Sequence, residues 1–444
     1  MLQVARLDRN TKEAIGLLSI GTFLEYFDLN LFIHMSVLLN GLFFPKTDPH
    51  TVFLITAFSF CSTYVFRPIG ALIFGWIGDN IGRKAIVVIT TTMMSMSCII
   101  MGILPTYAEI GITAAWLMIL CRIIQGMTSM GERVGAEIYL TEITTPPKQY
   151  PVVALIAGFA TLGGVGALGF ANLIISTNVS WRYAFFGGAV VAIIGAVART
   201  RLKETRDFVD FKKYSKVKLE QQHVDTKKIE EALNAPIFKQ EVTKKTTLSF
   251  FFIQCAHPIG FYFIYGYCAS VLITKFNCPP EIIIKQNFIV GLFELLKMMI
   301  IVPFLSYYIY PLKIIRVKLV LFFIGILACP YFLSIATSSH DIFLVQIAFS
   351  LIAIGSGPGL PIFYSHFPIA KRFTYGGVIY AIARAVMYVI TSFAIIYLVE
   401  KFGYYGLIII MFPVILGYMF GLNHFEKLEK ECGNYPEGWF NRER

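Results

Sequence analysis

Gly75-Trp76-Ile77-Gly78-Asp79-Asn80-Ile81-Gly82-Arg83-Lys84 stands between two long apolar runs. The glycines permit a tight turn. Asp79 can pair with a nearby Arg, and Arg83 and Lys84 hold the turn in water on one side of a bilayer. The flanking runs, roughly 51–78 and 85–104, are each long enough to cross a hydrocarbon core, which takes about 20 mainly apolar residues. The stretch therefore reads as the aqueous turn of a transmembrane helical hairpin.

The rest of the chain repeats this pattern. Of 444 residues, 56% are hydrophobic and 15% charged, too few polar groups to coat a water-soluble fold of this length. Mean hydropathy is +0.67. Ten further apolar runs bring the expected spans to twelve, at about 14–40, 51–78, 85–104, 110–138, 151–176, 182–199, 247–275, 286–309, 316–337, 341–363, 374–399 and 403–422. The fold class is an all-α polytopic membrane protein with two six-helix bundles. The expected organisation is an N-terminal bundle (1–200), a polar linker (201–245), a C-terminal bundle (246–424) and a short tail (425–444). Two bundles joined by a polar loop suggest a central path between them.

The net charge of +11 does not point to nucleic acid, because the basic residues cluster between the apolar runs. Assigning Arg6, Arg9, Lys12, Arg83, Lys84, Lys148, Arg199, the linker cations, Lys313, Arg316, Lys318, Lys371, Arg372 and the tail cations to one side gives 28 Lys and Arg there, against 5 on the other. The positive-inside rule then puts both termini and the linker in the cytoplasm. The polar, basic start followed by a full-length span argues against a cleaved leader. Eight scattered Cys without a CxxC pair indicate neither a disulfide framework nor a metal site, and no cofactor is expected.

Some charges fall inside the spans: Arg67, Arg122, Arg133, Lys297, Arg384, Glu25, Asp28, Glu132, Glu137 and Glu294. Each costs at least ~2.5–3.5 kcal/mol on insertion scales, so each should face a cavity or a partner. Glu25 and Asp28 are three apart and share a helix face. Two close carboxylates in low dielectric repel one another's charge, which suits one of them to carry a proton. A salt bridge to a buried Arg such as Arg122 is the structural alternative. Arg122, in Arg122-Ile-Ile-Gln125-Gly126, can hold a substrate carboxylate or pin an acid of the first helix. Glu294 and Lys297 are placed to neutralise each other, and His34 and His257 read mainly as packing residues. Five glycines in the fifth span favour close helix approach. The run Gly355-Ser356-Gly357-Pro358-Gly359 breaks the tenth, as a hinge or as a fixed kink. Aromatics such as Tyr26 can pack, or cage a quaternary ammonium group.

Gly75 to Lys84 resembles the loop signature G-x-x-x-D-x-x-G-R-[RK] of the major facilitator superfamily. Gly21-Thr-Phe-Leu-Glu25-Tyr26-Phe27-Asp28 resembles the G-x-x-x-E-[WY]-[YF]-D opening of its metabolite:proton symporters. Arg67-Pro-Ile-Gly-Ala71, Arg122-Ile-Ile-Gln125-Gly126, Gly131-Glu132, Trp181-Arg-Tyr-Ala-Phe-Phe186 and Glu204-Thr205 are similar to further motifs of that group. The resemblance covers most of the N-terminal half. It implies proton symport of a small polar metabolite by alternating access, in a bacterial inner membrane and as a monomer; the proline/betaine carriers are the leading comparison. On that reading Glu25 and Asp28 take the proton. Arg122, Gln125, Tyr26, Lys297 and Arg384 meet the substrate. Gly75, Asp79, Gly82, Arg83, Lys84, Arg67, Glu132 and Arg133 form a gate. The C-terminal half departs: Ser306 to Lys313 lacks the Asp and Gly-Arg of a second loop signature, although Phe367 to Gly376 keeps part of a family motif. The short tail shows no heptad run, so a coiled-coil osmosensor is not expected. A di- or tricarboxylate carrier and a non-transporting sensor of the same fold are the competing readings. With no nucleophile–base set, metal cluster or phosphate loop, an enzyme or a primary pump is not expected.

Overall fold

The computed structural model describes residues 9–44, 63–176, 180–199 and 242–441. The beginning of the second expected span and nearly all of the 201–245 linker lie outside the described residues, as do the side chains of His34, Arg83 and Glu132. The N-terminal helices are α1 (Arg9–Phe43), α2 (Arg67–Asn80), α3 (Arg83–Ile103), α4 (Ile112–Ile143), α5 (Gln149–Ser176) and α6 (Arg182–Arg199). In the C-terminal half, α7 covers Lys244–Phe276 and α8 begins as Pro280–Leu296 and ends as Val302–Tyr308. They are followed by α9 (Pro311–Ile335), α10 (Ser339–Ile352, resuming at Leu360–Ser365), α11 (Arg372–Phe402) and α12 (Gly406–Glu431). Among the described residues, nine helical stretches are long and apolar enough to cross a membrane.

One packing pattern occurs twice. In the N-terminal half α1 lies on α5 and α6, and α3 on α6. In the C-terminal half α7 lies on α11 and α12, and α9 on α12. The halves meet along two matching seams, α2 against α11 and α8 against α5, so the second helix of each half packs on the fifth of the other. The space between the seams is the central cavity.

Only some of the glycines of α5 serve close approach. A Cβ on Gly163 would lie 2.3 Å from the Phe23 carbonyl oxygen of α1, whereas one on Gly169 would lie 4.0 Å from the nearest atom, in the Phe288 ring. Backbone cannot move aside as a side chain can. Gly163→Ala is therefore expected to lose about 1–3 kcal/mol or more from overpacking, and Gly169→Ala to be nearly neutral. Thermal unfolding of the two variants in detergent checks this.

Two boundaries differ from the sequence reading: α9 begins at Pro311, before the expected 316, and α12 ends later than expected. Lys318, counted above with the loop cations although it falls within the expected 316–337 span, lies inside α9 and reaches the cavity. Arg316 is helical too, and pairs with Glu426 of α12 at 2.6 Å. Glu426, which local sequence does not connect with it, draws Arg316 into the bundle. In turn, α12 continues past the expected 422 to Glu431, and Gly433 (φ 69°) takes the positive φ that ends it.

The tail then folds back onto the place where the second loop signature is missing. Ile309 bridges to Phe440, Tyr310 N–H donates to the Trp439 carbonyl at 3.1 Å, and Asn441 N–H donates to that of Tyr308 at 2.8 Å. Glu429 ties this corner together, accepting from the Tyr310 hydroxyl at 2.6 Å and lying 2.8 Å from His366 Nε2. At the far end of the bundle, Glu109 caps the turn before α4, and the Thr106 N–H holds its carboxyl below the usual carboxylate range.

Candidate functional site: a central cavity and the gate beneath it

The 79–84 turn belongs to one end of the molecule. Gly82 has φ 151°, a conformation open mainly to glycine. Asp79 accepts from the N–H groups of Phe373 (3.2 Å) and Thr374 (2.9 Å) and from the Thr374 hydroxyl (2.7 Å). These are first-turn groups of α11, donors that a helix cannot satisfy internally, at the positive end of its dipole. A carboxylate of one half thus caps a helix of the other. Gly75 and Gly78 allow the approach: a Cβ there would come within 3.0 Å of Thr374 and 2.9 Å of the Phe373 ring. Lys84 lies half-buried at the start of α3. Beside this cap, Arg372 pairs with Glu142 at 3.3 Å, and the Tyr364 hydroxyl donates to Glu137 at 3.0 Å. This end is closed.

Above it lies a cavity of about 490 Å³. Both halves line it. Its basic residues are Arg67, Arg133, Lys297, Lys318 and Arg384, with Glu294 the one carboxylate among its described lining residues. It is also rich in aromatic rings, among them Tyr26, Tyr64, Phe261, Tyr265, Tyr380 and Tyr388.

The cations differ in how they are held. Arg133 bonds Glu137 at 3.0 Å and the Tyr26 hydroxyl at 2.5 Å. Arg67 stacks 4.4 Å over Tyr64, whose ring lies 4.2 Å from that of Tyr388 across the α2–α11 seam. Lys297 donates to the Ser350 carbonyl and sits 3.8 Å from Glu294, which also accepts from the Tyr265 hydroxyl at 2.8 Å. Arg384 donates to His257 Nδ1 and lies 4.8 Å over the Tyr380 ring. Its buried Nε has no partner among the described residues. That unmet donor, on a guanidinium at the cavity wall, suits an incoming oxygen anion.

Two π-helical turns shape the wall, at Tyr262–Tyr267 in α7 and Lys297–Ile301 in α8. An inserted residue rotates the following helix face, and Tyr262, Tyr265, Lys297 and Met298 all reach the cavity. The Gly355–Gly359 break of α10 lies there too, with the Gly355 carbonyl accepting from the Tyr418 hydroxyl at 2.8 Å.

Several residues lie elsewhere than the sequence reading put them. Tyr26, Lys297 and Arg384 line the cavity, but Arg122 and Gln125 do not; they are buried inside the N-terminal half and bonded to each other at 2.9 Å. Arg67 and Arg133, expected at the gate, are cavity residues. Glu25 and Asp28 are both buried, but against different neighbours: Glu25 beside Tyr26 and Arg67, Asp28 beside Cys98. Lys318 and Asn287 of the lining were missed. Lys318 stands two residues after Arg316 and five after Lys313, and nothing local separates it from those helix-start cations.

The sequence model of the Major Facilitator Superfamily matches residues 18–389. The chain belongs to this superfamily. It is thereby an integral membrane protein of a transporter family and not an enzyme. The proline/betaine transporter of Salmonella typhimurium is 32% identical over 282 residues, which are 60% of this chain and 53% of that protein. The inner membrane metabolite transport protein YhjE of Escherichia coli is 37% identical over 201 residues, 43% and 45% of the two chains. The chain thus spans about half the length of the curated relatives it matches. Among solved structures, the proton:xylose symporter XylE superposes with a TM-score of 0.73 at 16% identity, covering 94% of this chain and 99% of that one. The human organic anion transporter MFSD10 does so at 0.67 and 15%, covering 94% and 100%. At these identities the likeness is one of fold, and both structures share the two-bundle architecture.

Proposed function

We propose that the protein is a proton-coupled symporter of a small zwitterionic osmolyte of the proline/betaine kind, working by alternating access in a bacterial inner membrane as a monomer. The observation that carries this reading is the cavity's pairing of a guanidinium with an unmet donor, Arg384, with a set of aromatic rings. A betaine presents a carboxylate, suited to the Arg384 fork, and a quaternary ammonium, suited to aromatic faces. The names of the proline/betaine relatives support the same class. The gate is Asp79 with Gly75, Gly82, Arg83 and Lys84, on the cytoplasmic side by the positive-inside count. Glu25 and Asp28 are the carboxylates for the proton.

A second reading has specific support. Among the described lining residues, five cations against one carboxylate favour a di- or tricarboxylate. Uptake of radiolabelled glycine betaine and proline into proteoliposomes, with and without an inward proton gradient, distinguishes the two. Gradient-dependent uptake that tenfold excess citrate and 2-oxoglutarate leave unchanged is expected. Uptake of citrate or 2-oxoglutarate alone would move the assignment to the second reading.

A further inference from the structure

A second polar cluster lies away from the cavity, between α1, α3, α4 and α6. Asp28 hydrogen-bonds with Cys98. The Gln125 amide donates to Cys98 Sγ at 3.3 Å, and Arg122 donates to Gln125 Oε1 at 2.9 Å. The Arg122 guanidinium then lies 4.1 Å over the Phe32 ring, which returns the chain of contacts to α1. All four members are buried and none lines the cavity. Among the described residues, Asp28 Oδ2 and Arg122 Nε have no partner. Gly188 of α6 leaves room for the carboxylate, since a Cβ there would lie 2.4 Å from Asp28 Oδ1.

Other charges reach the cluster only from its edges. Glu25, one turn back on α1, lies beside Arg67, and Tyr64, just before α2, and Arg67 of α2 act on Arg122. From α6 comes the uncharged Gly188. No ion pair joins Asp28 to Arg122 among the described residues. A thiol and an amide stand between them, two groups that can each donate and accept.

We infer that Cys98 and Gln125 are positioning residues for proton coupling: they hold Asp28 near Arg122 without letting the two form a direct ion pair. The inference rests on the proposed proton symport. A buried ion pair broken on one side leaves an uncompensated charge, at large cost. With neutral groups interposed, Asp28 Oδ2 can accept a proton, become the neutral acid and later release the proton to water, while Arg122 keeps its bond to Gln125 throughout. Coupling to substrate runs along α1, whose Tyr26, Leu29 and Asn30 line the cavity.

The test compares wild type, Cys98→Ala and Cys98→Ser in proteoliposomes, with radiolabelled glycine betaine and proline as probes. Two readouts are taken: proton-driven accumulation as a function of pH, and counterflow, which needs no net proton movement. Cys98→Ala is expected to lose about tenfold in accumulation, with its pH profile displaced by about one unit, the equivalent of that factor. Its counterflow persists, and Cys98→Ser recovers most of the loss. An unchanged pH profile in Cys98→Ala, with counterflow intact, overturns the inference. Absence of counterflow in wild type would instead fault the substrate reading. Infrared titration of the carboxyl band then decides without substrate: a band removed by Asp28→Asn and displaced in midpoint by Cys98→Ala supports the cluster, and a band indifferent to Cys98→Ala refutes it.

Discussion

Arg384→Ala is expected to lower uptake of glycine betaine or proline at least about 100-fold without unfolding the protein. Two charge-assisted hydrogen bonds to a carboxylate contribute roughly 1.5–3 kcal/mol each, and about 2.7 kcal/mol already corresponds to 100-fold. Arg384 is 3% exposed, and a guanidinium so placed is held in its orientation by His257 and the Tyr380 face. Arg384→Lys keeps the charge but loses the planar fork, so it should recover only a small part. Stability should hold or rise, because no carboxylate pairs with Arg384 among the described residues and its removal takes a buried charge away. Saturation kinetics with thermal unfolding of the same preparations check both halves of this expectation. Near-normal uptake by Arg384→Ala would remove the carboxylate site from the cavity wall.

Asp79→Asn is expected to open the gate. The substitution keeps the shape but removes the charge that faces the α11 N-terminus, and it turns one acceptor into a donor aimed at N–H groups. The cost is about 1–3 kcal/mol, equal to roughly a 5- to 150-fold shift between closed and open forms. A disulfide reports the shift. A Cβ on Gly377 would lie 3.7 Å from that of Ala71 across the α2–α11 seam, inside the range that a disulfide needs. The double variant Ala71→Cys/Gly377→Cys should therefore cross-link readily under mild oxidant. Adding Asp79→Asn should slow the cross-linking about tenfold or more. Unchanged cross-linking would mean that the cap does not hold the gate.

The helices, and the loop that decides the fold, were legible because they depend on composition along the chain: apolar length, charge clusters and glycine spacing. The faces of those helices were not. A membrane helix is apolar on nearly all sides, so its periodicity does not say which residue meets a cavity. That is why Arg122 and Gln125 read as substrate ligands, although they close a bond inside one bundle, and why Arg67 and Arg133 read as gate residues, although they line the cavity. Glu25 and Asp28 share a helix face, as their spacing requires, but the neighbours that separate their roles come from α2 and α3. The partner of Asp79 lies almost 300 positions later, at Phe373 and Thr374. The π turns of α7 and α8 left no mark in the sequence pattern, yet they turn Tyr265 and Lys297 towards the cavity.

The most direct test of the zwitterion site is equilibrium binding of radiolabelled glycine betaine to the purified protein in detergent, with proline and citrate as competitors. Saturable binding that proline displaces, that excess citrate does not, and that Arg384→Ala abolishes is the predicted result. Binding of citrate with none of betaine or proline would contradict it.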